Sequence, residues 1–142
     1  MKLKHRLTTG VLTALIAATV GISQAQAASI TWTQSLTTAM SQSKKTGKPI
    51  FIDFSAVWCG PCKEMKKTTF QDAKVIAESK KWIMVHIDGD KQEAVAKKYK
   101  IEAYPTLIMM SPKGKIVARE IGGQNPGDFL KWMKSKYSAA KK

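Results

Sequence analysis

Hydrophobic and polar positions along the chain fall into stretches of three kinds. Leu7–Ile22 is apolar or small, densest at Val11–Ile22, and leads into Ser23-Gln24-Ala25-Gln26-Ala27-Ala28. Ile50–Phe54 is a continuous apolar run broken by one acid, the pattern of a strand covered on both faces; Trp82–Ile87 is another apolar strand, and Pro105–Met110 a strand that begins at a proline, where the missing N–H is tolerated. Elsewhere apolar residues recur at steps of three and four, as helices require. Trp32, Leu36, Ala39, Met40 and Ser43 predict a helix within Ser29–Lys45, ended by Gly47-Lys48-Pro49. Further helices are expected from Lys63 to about Phe70 and over Asp72–Ser79, the second capped by Asp72. Gln92–Lys100 is expected to turn Ala94, Val95 and Tyr99 inward. A last helix runs from Asn125 as cap and Pro126 as first helical residue to about Tyr137, with Phe129, Leu130, Trp132 and Met133 as its buried stripe. Lys115–Ile121 reads as a strand that forms a hairpin with Pro105–Met110 through Ser111-Pro112-Lys113-Gly114, and Gly122-Gly123 ends it.

Strands that alternate with helices pair in parallel, and a closing hairpin adds an antiparallel edge. The expected fold class is therefore α/β: a mixed central sheet with helices on both faces. Residues 28–137 are expected to form one domain, with 138–142 a flexible tail. Residues 1–27 stand apart. Lys2, Lys4 and Arg6 precede the apolar stretch, and Ala25 and Ala27 form a small-residue cleavage site behind it. That order is the pattern of a cleaved Sec-type signal peptide. A retained membrane anchor would want about 20 apolar residues. The mature protein is expected to be periplasmic or otherwise exported, soluble and monomeric.

Charge changes this picture little. The 24 Lys and Arg residues exceed the 10 Asp and Glu residues, for a formal charge of +14. The lysines recur as pairs, among them Lys44-Lys45, Lys66-Lys67 and Lys97-Lys98, and interleave with apolar positions, as solvated helix faces do. Nucleic acid is not an expected partner of an exported chain. Acidic proteins and anionic membrane surfaces would be attracted, and salt would screen them.

The two cysteines, Cys59 and Cys62, are three residues apart. A structural disulfide gains most by closing a long loop, and this pair closes almost none, so it is reactive or metal-binding. Disulfide exchange needs a thiolate, which a helix N-terminus favours through its unpaired N–H groups and partial positive charge. Cys59 lies where a strand hands over to a helix and is the expected nucleophile. Cys62, one turn further in and expected to be less exposed, would resolve the mixed disulfide. Pro61 fixes φ at the helix start, Gly60 lets a partner chain approach, and Trp58 offers a flat apolar surface. The alternative is copper binding or delivery by the same pair, since thiolates and thioethers bind Cu(I). Structural zinc wants four ligands, and no second Cys/His cluster exists; no residue is assigned as a metal ligand. His86 reads as a packed or edge histidine and the methionines as core.

Phe54-Ser55-Ala56-Val57-Trp58-Cys59-Gly60-Pro61-Cys62-Lys63 resembles the active-site segment of thioredoxins, and Tyr104-Pro105-Thr106 stands at the place of that family's cis-proline loop. The longer run to Phe70 is most similar to the C-terminal domain of the membrane electron transporter DsbD and to small exported relatives. The resemblance implies a thioredoxin fold and a protein thiol–disulfide oxidoreductase whose redox-active Cys59–Cys62 disulfide is its only cofactor. It implies that Asp53 accepts a proton when Cys62 ionises; a carboxyl among apolar groups resists ionisation and suits proton exchange. It implies that Pro105 is cis beside the sulfurs. Tyr104 and Thr106, with Gly122, would meet an extended peptide as an added strand. Gly60-Pro61 is the thioredoxin dipeptide, associated with a potential near about −270 mV against about −120 mV for the oxidant DsbA, so a reductant is expected, fed by a membrane donor of the DsbD type. Three departures stand out: Ser55 replaces a tryptophan, Met84 replaces a lysine near the buried acid, and Lys67 replaces a helix-kinking proline, so a straighter helix is expected there.

Overall fold

The computed structural model describes residues 28–142, and the expected signal peptide lies outside them. In chain order the elements are β1 (Trp32–Thr33), α1 (Leu36–Thr46), β2 (Ile50–Ser55), α2 (Gly60–Lys67), a 3₁₀ turn (Thr69–Gln71), α3 (Ala73–Ser79), β3 (Ile83–Asp88), α4 (Glu93–Lys98), β4 (Thr106–Met110), β5 (Ile116–Ile121) and α5 (Pro126–Ala140). The strands form one sheet in the order β1-β3-β2-β4-β5. β1, β3 and β2 are parallel; β4 runs antiparallel to β2, and β5 antiparallel to β4. This is the mixed sheet with an antiparallel edge hairpin that the alternation of elements implied.

Every residue of β2 is buried, because both faces of the sheet carry helices. Side chains alternate between those faces. Phe51, Met84, Leu107 and Met109 pack with Met65, Phe70, Val75, Ile76, Phe129 and Met133, on the side of α2, α3 and α5. Ile50, Ile52, Phe54, Val85, Ile87, Ile108 and Met110 pack with Ala39, Leu36, Met40, Val95 and Tyr99, on the side of α1 and α4. Phe129 joins the layers on the first face edge-on, 5.3 Å from Phe51 and 5.7 Å from Phe70 between ring centroids. Asp53 follows Phe51 by two residues, so it lies on that same face, the one that carries α2.

Four expectations change. Trp32 is not helical: it pairs with Met84 in β1 and stacks edge-on against Phe70, and α1 starts only after the Ser35 cap, which accepts from the Thr38 amide. The helix from the cysteine pair stops short of the expected Phe70. It ends at Lys67, where the Thr68 hydroxyl donates to the Glu64 carbonyl at 2.9 Å and the Thr69 hydroxyl to Gln124, local bonds that compete with the helix ladder. In α4 it is Ala96 that is buried, while Ala94 is exposed. α5 continues to Ala140, whose side chain is fully buried in the core cluster that holds Trp82, so ordered helix reaches past the expected end at Tyr137. The caps at Asp72 and Asn125 stand as expected.

Candidate active site

β2 delivers the chain to the sheet's end at Ser55, and four residues later α2 begins. Cys59 is the cap of that helix: its backbone is extended, its sulfur accepts from the Cys62 amide at 3.2 Å, and its carbonyl accepts from Lys63. Pro61 lies in the first turn, where a missing N–H leaves no bond unmade. Cys59 and Cys62 are joined in a disulfide with their Cα atoms 5.4 Å apart. The Cys59 sulfur thus accepts from an N–H at the start of the helix, an environment that stabilises a thiolate once the bond is opened.

Both cysteines are buried, and the expected order of exposure is reversed: Cys59 is 3 % exposed and Cys62 8 %. Tyr104 packs against the pair. On the other side a cavity of about 500 Å³ reaches Cys62, and Asp53, Ser55, His86 and Asp88 share its lining.

Around the pair the loops are tied to one another. The Trp58 indole, 65 % exposed, donates to Asp90 Oδ2 at 2.8 Å and stands edge-on to the Tyr104 ring at 5.7 Å. The Tyr104 ring fills the space above Gly89: a Cβ there would lie 2.5 Å from Cζ and 2.7 Å from Cε1 of the ring. The Tyr104 hydroxyl holds its proton more tightly than usual, first because of partial burial and then because Asp90, Asp88 and Glu93 are negative nearby. The Tyr104–Pro105 peptide bond is cis. The Pro105 carbonyl accepts from the Gly122 amide at 2.9 Å, and Gly122 has φ +102, a conformation that only glycine adopts freely. Thr106 turns inward: it is buried and its hydroxyl donates to the Ala103 carbonyl at 2.7 Å, so only its backbone is available to a ligand. Gly60 is exposed and a side chain there would meet nothing; its presence answers no need of the chain itself. Val57, Trp58 and Ile121 leave large apolar surfaces exposed.

Not Met84, which pairs with Phe51, but His86, read above as a packed or edge histidine, stands beside the buried acid. It faces Asp53 in register across β2 and β3, and its Nδ1 lies 3.0 Å from Asp53 Oδ2. Each residue stands two positions before the end-of-strand Ser55 or Asp88, a correspondence that parallel pairing makes visible and periodicity alone does not. Among the described residues no cluster of three or more His, Cys, Asp or Glu is placed to hold a metal ion, and no helix is long and apolar enough to cross a membrane.

Residues 36–136 match the family model described as "Thioredoxin-like domain". Protein disulfide isomerase-like 2-1 of Oryza sativa is 32 % identical over 90 residues, covering 63 % of this chain and 24 % of the relative. Thioredoxin of Echinococcus granulosus is 36 % identical over 89 residues, covering 63 % of this chain and 79 % of the relative. Several of the curated relatives are thus far longer than the matched segment. Among solved structures, a thioredoxin from Thermus thermophilus superposes with TM-score 0.70 at 21 % identity, over 80 % of this chain and 94 % of the other. The oxidised C-terminal domain of DsbD from Neisseria meningitidis does so with TM-score 0.63 at 23 % identity, over 70 % and 90 %. Both share the fold.

Proposed function

The chain belongs to the thioredoxin-like family, and from that membership we propose that it is an exported thiol–disulfide oxidoreductase that reduces disulfides of protein partners through Cys59 and Cys62. The observation that carries the reading is the seat of Cys59 as cap of α2, bonded to Cys62 and packed against Tyr104 beside the cis bond to Pro105. In the reduced protein the Cys59 thiolate attacks one sulfur of a partner's disulfide. A mixed disulfide forms, and the partner's other sulfur leaves as a thiolate that takes a proton from solvent. Cys62 then loses its proton to the Asp53 carboxylate and attacks the Cys59 sulfur. The Cys59–Cys62 bond closes, the partner's second sulfur leaves as a thiolate that takes a proton from solvent, and two electrons have passed to the partner.

The exposed Val57, Trp58 and Ile121 surfaces suit an extended peptide, which would lie along Gly60, Pro61 and Gly122 and bond to the backbone at Tyr104 and Thr106. Export is supported by the pattern of residues 1–27. The direction rests on the Gly60-Pro61 dipeptide, and an oxidising compartment then requires an electron donor, for which a membrane reductase of the DsbD type fits the likeness of Trp58–Phe70.

Insulin reduction with dithiothreitol tests the chemistry. Wild type should accelerate it and Cys59→Ser should not; equal rates would end the proposal. Cys62→Ala expressed with the native leader should accumulate mixed disulfides outside the cytoplasm, on a chain whose N-terminus is Ala28. Adducts confined to the cytoplasm would refute export.

A further inference from the structure

Asp53 and His86 form a pair that runs from the interior outward. Asp53 is buried, its side chain 6 % exposed, whereas the imidazole that touches it is 38 % exposed. Both line the cavity that Cys62 also lines. At about 30 Å³ for each water in the liquid, a cavity of about 500 Å³ has room for several. The charged groups that line the cavity with the imidazole are Asp53 from β2, Asp88 from its own strand, and Lys63 and Lys66 from α2; β1 and the residues flanking it contribute only uncharged side chains, with the Trp32 ring 6.1 Å from the imidazole.

The geometry points to His86 as a positioning residue for the resolving step, the outer member of a proton path from Cys62 through Asp53 to solvent. The inference rests on the reading of Cys59 and Cys62 as an exchange centre. The path balances. Cys62 gives its proton to Asp53 as its sulfur bonds to Cys59. Asp53 passes that proton across the 3.0 Å contact to a His86 Nδ1 that carries none, Nε2, the ring nitrogen that Asp53 leaves free, releases its own to water, and exchange with water returns the ring to its starting tautomer. Asp53 is then again a carboxylate and the imidazole again neutral. Histidine suits this place because it alone among side chains ordinarily gains and loses a proton near neutral pH.

The test follows the reduced protein in stopped flow with 5,5′-dithiobis(2-nitrobenzoic acid). The first chromophore released reports attack by Cys59, and the second reports resolution by Cys62. His86→Gln keeps an amide able to bond Asp53 but does not titrate; His86→Ala leaves space beside the acid. Both should keep the first phase and slow the second by roughly 3- to 10-fold near neutrality, a modest part of what acid–base catalysis supplies. The pH profile of the second phase should differ from that of wild type in both variants. Added imidazole should speed the second phase of His86→Ala and leave wild type unmoved. Second phases equal to wild type would overturn the inference, as would slower ones with an unchanged pH profile and no response to imidazole, which would mark a structural role only. Loss of both phases in wild type itself would instead overturn the oxidoreductase reading.

Discussion

Gly89 gives the sharpest test of how the loops are fitted around the cysteine pair. Its φ is not in the left-handed region, where Gly47, Gly114 and Gly122 lie. An alanine would therefore be expected to stabilise the protein by about 0.4–1 kcal/mol through the unfolded chain. The structure reverses the sign. A Cβ at this position overlaps the Tyr104 hydroxyl and comes within 2.5 Å of Cζ, so the ring must leave its place against Trp58 and the cysteine pair. Overpacking of this kind costs about 1–3 kcal/mol. With a urea m-value of about 1–3 kcal/mol/M, Gly89→Ala should lower the midpoint of unfolding by about 1 M. The clash has one partner, so Tyr104→Leu should rescue it: in a double-mutant cycle the cost of Gly89→Ala should shrink by about 1 kcal/mol or more when Tyr104 is absent. Insulin reduction should fall in Gly89→Ala. Additive effects, or a midpoint equal to wild type, would refute the fit of Tyr104 over Gly89.

Other consequences are as direct. Phe129→Ala removes a fully buried ring that meets Phe51 and Phe70 edge-on; it should cost about 3–5 kcal/mol and lower Tm in calorimetry by roughly 10–20 °C. Deleting residues 138–142 removes the buried Ala140 and should cost about 1 kcal/mol in urea unfolding; no change would mean that the last turn of α5 contributes nothing. Burial first and negative neighbours second raise Tyr104 above 10.0, and burial raises Tyr99 likewise. The unfolded tyrosines then lose protons before the folded ones, so their contribution is whole below about pH 10 and fades as pH rises through the folded values. Urea midpoints should fall above pH 10 less in Tyr104→Phe than in wild type, and parallel curves would contradict the assignment.

The parts of the fold that local pattern encodes were legible. The run Ile50–Phe54 is apolar on both faces because both faces are covered, and Asp72, Asn125 and Pro126 mark helix starts by chemistry that acts within one turn. What escaped depends on partners distant in the chain. β1 has two residues, too few for any period, and exists because Trp32 pairs with Met84. The end of α2 follows from hydroxyls that bond to Glu64 and Gln124, a choice that composition does not reveal. At the site, Cys59, Cys62 and the cis Pro105 could be named from motifs. His86 could not, because its meaning lies in the register between β2 and β3. Gly89 carries no signal of its role in the sequence, and only the position of the Tyr104 ring shows what its missing side chain makes room for.

The chemistry turns on Cys59, whose sulfur accepts from the Cys62 amide at the start of α2. Its direct measure is the rate at which Cys59 of the reduced, folded protein is alkylated by iodoacetamide as pH is varied, with the modified residue identified by mass. Cys59 should reach half its maximal rate well below the pH of about 8.5 at which a free cysteine does so, and Cys62 should react more slowly throughout. A Cys59 that titrates like free cysteine, with Cys62 its equal, would contradict the account.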